Sequence, residues 1–272
     1  MKSTEFLKNY MENGNGSDGS IDEILFHCAE FCTMEYGIDT NFFLNETSFV
    51  PKKDMPQKSN GTHNKLTGEV LLSEDLLRGN TYEGRWRTIR VIIHEWTHRV
   101  ISSSRKSISG KLELAVGSQL DKFDVSSVTI NGFTIDGSSI DDAPRNLRVF
   151  TKLNESATDL VARYLSGKIL GQETHEMFSD RGRGYRSIAY LLYQVIRREP
   201  RMSYESLTEI LTNSDLERFV SEVIGVKFHA QSFSEAFKIT RFLDNLFRGI
   251  EGKHISLRDA ERKMRNRFRR AV

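Results

Sequence analysis

Between residues 20 and 104 the apolar positions recur at helical spacing. Ile21, Ile24, Leu25, Cys28, Phe31 and Cys32 share one side of a helix that Ser20 and Glu23 open as a capping box and Gly37 closes. The ordered domain is expected to start there, with residues 1–19 a flexible polar lead-in. Residues 51–68, PKKDMPQKSNGTHNKLTG, combine prolines, glycines and polar groups and read as a surface loop. A short strand, Glu69 to Leu72, follows. Ser73 caps a brief helical turn, and Asn80 with Glu83 forms a capping box for a helix running through about Ser102. From Gly110 to Asp142 the pattern changes to alternation, with Asn131-Gly132 fitting a two-residue hairpin turn. After Pro144 helices are expected over about 146–166, ending at Gly167, over 184–199, and over 203–212 behind Ser203. Capping pairs recur at Ser214/Glu217, Ser232/Glu235 and Ser256/Asp259.

This pattern gives an α+β chain that is predominantly helical. Its expected parts are the lead-in 1–19, an α+β part over 20–150 with a β-hairpin insertion, and a helical part over 151–272. No apolar run approaches the roughly 18 residues of a membrane span. Lys and Arg number 39 against 37 Asp and Glu, so no global field favours nucleic acid or anionic lipid as the main partner. The first residues lack the apolar core of a secretory signal, so the expected location is cytoplasmic, with non-classical export or an effector role as the alternative. Cys28 and Cys32 are too few for a disulfide framework and are expected to be reduced and buried.

The chemistry concentrates in His94-Glu95-Trp96-Thr97-His98. Two histidines four residues apart on a helix lie on one face about one turn apart, so both imidazoles can reach one ion. Zinc favours nitrogen and oxygen ligands in tetrahedral geometry, and a catalytic site leaves one position to water, so a third protein ligand is required. Glu95 projects beside the pair, where its carboxylate can take a proton from the attacking water as general base. Asn154-Glu155-Ser156-Ala157-Thr158-Asp159 supplies the rest. Glu155 is the candidate third ligand, and Asp159, one turn on, is the candidate acceptor for the free ring N–H of a ligating histidine.

HEWTH followed by NESATD resembles the gluzincin clan of zinc metallopeptidases, the thermolysin-like group. The resemblance covers about a dozen residues and implies a zincin-like fold, with a small sheet flanking the active helix and a helical C-terminal subdomain. It implies Zn2+ held by His94, His98 and Glu155, Glu95 as base and proton shuttle, and Asp159 as the partner of a ligating histidine. Peptide-bond hydrolysis of a peptide or protein substrate follows, by an endopeptidase rather than an exopeptidase. The metzincin pattern is excluded, because His98 is followed by RVISSSRKS and no third histidine. The 56 residues between His98 and Glu155 exceed the connection of many relatives. In this clan the oxyanion donor is typically a Tyr or His downstream of the glutamate helix, which makes Tyr185 the first candidate, with His175 and His229 as alternatives. The clan's edge strand, which pairs with extended substrate, is expected at Glu69–Leu72.

The alternative function is a non-catalytic, zinc-stabilised interaction or nucleic-acid-associated protein using the basic tail from Arg258 to Arg270. Leu257, Met264 and Phe268 give that tail an apolar stripe, so it reads as a packed helix with a charged outer face. Glu95 beside an apparently open metal position argues for catalysis.

Overall fold

Caps and glycines punctuate the chain largely where their positions suggest, in a computed structural model that describes residues 2–14, 20–56, 59–78 and 81–104, the strands between 106 and 149, then 151–171, 203–215, scattered positions within 218–252, and 254–268. The described residues are mostly helical, with a small three-stranded sheet near the start of the chain. They divide into two compact units, Met1–Ser102 with Val161–Ser179, and Ser103–Leu160 with Asp180–Val272. Among the described residues, no helix is long and apolar enough to cross a membrane.

The first unit opens with α1 (Ser3–Asn13), inside the stretch expected to be a flexible lead-in. Leu7 and Met11, four residues apart, are both fully buried, and the Arg85 side chain donates to the Met11 and Glu12 carbonyls at the end of α1. That apolar pair is what a polar composition conceals. Helix α2 (Ile21–Tyr36) starts as expected, with the Ser20 hydroxyl accepting from the Glu23 amide, and ends at Gly37 in the left-handed conformation. After α3 (Thr40–Leu44) come β1 (Thr47–Val50), β2 (Gly61–His63) and β3 (Val70–Ser73). β3 is the middle strand, with β1 parallel on one side and β2 antiparallel on the other. The strand expected at the sheet edge is therefore internal, and the edge on its far side comes from the segment read as a loop.

Helix α4 (Tyr82–Ser103) carries the histidine pair. Asn80 lies outside the described residues, and the Thr81 hydroxyl accepts from the Gly84 amide at the helix start. Trp96 is fully buried and sits 5.4 Å from the Phe43 ring. Its indole N–H donates to the Thr47 hydroxyl, which donates to the Phe43 carbonyl. Thr97, also fully buried, bonds the Tyr36 hydroxyl at 2.6 Å and donates to the Ile93 carbonyl. The two middle residues of HEWTH thus tie α4 to α2, α3 and β1.

In the second unit, β4 (Lys106–Ile108), β7 (Val125–Asn131), β8 (Thr134–Ser139) and β9 (Leu147–Val149) form an antiparallel four-stranded sheet, while β5 (Leu112–Val116) and β6 (Gln119–Phe123) make a separate hairpin. The insertion is larger than the sequence suggests. Asn131 pairs with Thr134, so Asn131 belongs to the strand and the turn begins one position later than expected. Gly132 supplies the positive φ that a tight hairpin turn needs at its first position, and its amide donates to the Ser214 hydroxyl. Ser214 is thereby spent on the hairpin, and Asp215 takes its capping role by accepting from the Arg218 amide. Helix α6 (Tyr204–Thr212) is capped by Ser203, and Ser256 caps α7 (Leu257–Phe268) as expected. Ser232, Glu235 and the 184–199 helix lie outside the described residues.

Helix α5 (Thr151–Leu170) runs without a break through the division between the units. It passes Gly167 and stops at Gly171, which has a left-handed φ of 67°. A glycine inside a helix costs only about 1 kcal/mol against alanine, which burial of Leu165, Ile169 and Leu170 outweighs.

Candidate metal centre

With Trp96 and Thr97 turned into the core, the remaining positions of the motif share another side of α4. His94 is half-buried, His98 is 7% exposed and Glu95 is 8% exposed. The Nε2 atoms of His94 and His98 approach to 3.2 Å, and their rings stand nearly perpendicular at 83°. One helical turn brings the imidazoles together, and perpendicular rings let both nitrogens converge on one point.

Glu155 completes the arrangement. One ligand atom from each of His94, His98 and Glu155 lies within 4.8 Å of the others, a group able to hold a metal ion. From Leu153 to Arg163, Glu155 is the one residue of α5 that is not buried. The polar residues around it are accommodated by turning hydroxyls back on the helix, as the Thr158 hydroxyl does in donating to the Asn154 carbonyl. Asp159 is 4% exposed one turn beyond Glu155, and Arg163, one turn further, lies over the Trp86 ring.

β2 forms the neighbouring wall. A Cβ on Gly61 would stand 2.7 Å from both Cγ and Oε1 of Glu95 and 2.9 Å from a Val91 methyl. Only a glycine lets the strand backbone approach the Glu95 carboxylate this closely. Strand alternation puts His63 on the same face as Gly61. Both His63 ring nitrogens are buried with no hydrogen-bond partner. Burial, with His98, Arg99 and Lys65 nearby, pushes the His63 imidazole down to about 4, so it is neutral at pH 7. Arg99 is committed elsewhere: its guanidinium lies 4.7 Å over the Phe42 ring and donates to the Asn45 carbonyl.

The backbone of β2 has a second property. Ser73 donates to the Asn60 carbonyl and Asn64 to the Glu69 carbonyl, so Asn60, Thr62 and Asn64 occupy the hydrogen-bonded positions against β3. The amides and carbonyls of Gly61 and His63 therefore point to the opposite edge, where no strand pairs with β2 among the described residues.

The sequence-derived residues His94, His98 and Glu155 thus come together, with Glu95 beside the histidines and outside the ligand group. Tyr185, His175 and His229 lie outside the described residues. Gly61 and His63 were missed. The only local signal was Gly-Thr-His in a polar stretch, and their importance arises from pairing with β3 and contact with α4. Comparison with protein-family models, curated proteins and solved structures finds no match.

Proposed function

We propose that this protein is a zinc-dependent endopeptidase of the gluzincin type with a zincin-like fold. The observation that carries the reading is the metal-competent trio His94, His98 and Glu155 with the buried carboxylate of Glu95 next to it. Two imidazole nitrogens bound tetrahedrally to one zinc ion at about 2.0–2.1 Å stand about 3.3–3.4 Å apart. The 3.2 Å between the Nε2 atoms fits that spacing. Two imidazoles and one carboxylate also form a three-ligand set, which suits a catalytic site with its fourth position open.

Zinc in this site supplies a polarised water and a Lewis-acid contact for the scissile carbonyl. Glu95 takes a proton from the attacking water and delivers it to the leaving amine. Its burial strengthens that exchange by limiting competition from bulk water. Asp159 is assigned to the ring N–H of a ligating histidine, fixing its tautomer. An extended peptide pairs with the outward amides and carbonyls of Gly61 and His63, which brings an internal peptide bond alongside Glu95. The function of Tyr185 as oxyanion donor remains the assignment implied by the clan.

Digestion of an unbiased peptide library by wild type and Glu95→Gln, with metal content measured on both, tests the reading. Equal zinc and activity lost only in the variant are expected. Identical cleavage by both proteins would refute it, and zinc without cleavage by either would favour a non-catalytic metal protein.

A further inference from the structure

The sheet edge contains a polar group that the metal trio and Glu95 do not account for. His63 is held on the face of β2 that Gly61 turns toward α4, with both ring nitrogens buried and unpartnered. A buried donor or acceptor left unpaired costs about 1–3 kcal/mol, so such a group in a folded protein calls for a ligand or a function. His98 and Arg99 are among the groups close enough to act on it electrostatically. Two residues along a strand span about 6.6 Å. Gly61, against which the Glu95 carboxylate is pressed, and His63 therefore hold neighbouring positions on one face of β2. His63 is outside the ligand trio, so its ring nitrogens are not committed to the metal.

We propose that His63 is a further catalytic residue, donating a hydrogen bond to the oxygen of the scissile carbonyl as negative charge builds on it. The inference rests on the peptidase reading, and it places an oxyanion donor on the strand before the active helix, upstream of where the clan resemblance looks for one. No proton transfer is involved: the imidazole keeps its proton while the carbonyl oxygen accepts the bond. A donor aimed at developing charge contributes about 10²–10³-fold to kcat and little to substrate binding.

The test compares wild type, His63→Ala, His63→Phe and His63→Gln, all zinc-loaded, by cleavage kinetics, metal content and the Kd of a phosphonamidate peptide that mimics the tetrahedral geometry. Alanine and phenylalanine should lower kcat about 10²-fold or more, with KM and zinc content within twofold of wild type. Glutamine, which retains an N–H donor, should recover at least tenfold over alanine. Phosphonamidate affinity should fall in parallel with kcat. Unchanged kcat overturns the inference, as does loss of zinc in the glutamine variant, which would make His63 a ligand. If wild type cleaves no peptide, the peptidase reading fails separately. The phosphonamidate still decides His63 in that event: a Kd at least tenfold weaker in His63→Ala supports the hydrogen bond, and an equal Kd overturns it.

Discussion

Replacing Gly61 by alanine tests whether the sheet edge and Glu95, the proposed general base, are built as one unit. The added methyl would stand 2.7 Å from Cγ and Oε1 of Glu95 and 2.9 Å from the Val91 methyl. Carbon atoms rest at about 3.5–4.0 Å, so at least about 0.8 Å of overlap must be relieved. Val91 is part of the α4 backbone's packed face and is 9% exposed, whereas the Glu95 carboxylate ends a flexible side chain. Relief should come from the carboxylate, displaced by about 1 Å. A displacement of that size costs about 10²-fold in rate, or about 2.7 kcal/mol in the barrier. The cost in stability should stay near the low end of overpacking, about 1 kcal/mol. His94, His98 and Glu155 are not touched, so zinc content should remain at the wild-type level. Steady-state kinetics on a library-derived substrate, metal analysis and thermal melting measure the three quantities together. A Gly61→Ala protein with kcat within twofold of wild type would refute the reasoning, and so would loss of activity explained by lost zinc.

Four further outcomes follow from the same geometry. Glu155→Ala should abolish the melting-temperature increase that zinc gives the wild type, a gain of about 2.7 kcal/mol when free zinc is a hundredfold above Kd; an undiminished increase in the variant would remove Glu155 from the ligand set. Thr97→Val leaves the buried Tyr36 hydroxyl without its partner and should cost about 1–3 kcal/mol in denaturant unfolding, more than Tyr36→Phe, which leaves Thr97 bonded to Ile93. Burial holds the Cys28 and Cys32 thiols well above their ordinary range, so a thiol reagent at pH 8 should label them only on unfolding. In metal-free protein, His63 takes up its proton near 6.5 when unfolded but only near 4 when folded. Its contribution to stability is therefore complete above about 6.5 and declines as pH falls toward about 4. His63→Gln should flatten that acid limb, measured by melting temperature against pH.

Much of the candidate site was legible because it follows helical geometry. A four-residue spacing puts His94 and His98 on one face whatever the rest of the chain does, and Glu155 with Asp159 repeats that logic on α5. Caps at Ser20, Ser203 and Ser256 were equally readable, since a hydroxyl bonding an amide three residues on is a local event. Local rules failed where a distant partner intervened. Ser214 had the spacing of a cap but bonds Gly132 across the fold, leaving the cap to Asp215. Leu7 and Met11 lie in a segment read as a polar lead-in, yet both side chains find a core. The chain by itself determined which residues can bind a metal and which can serve as base. Tertiary structure alone decided that Glu155 meets the histidines and that β3 is interior. It also made Gly61 and His63 the wall beside Glu95, because strand order and close backbone approach depend on contacts between segments far apart in sequence.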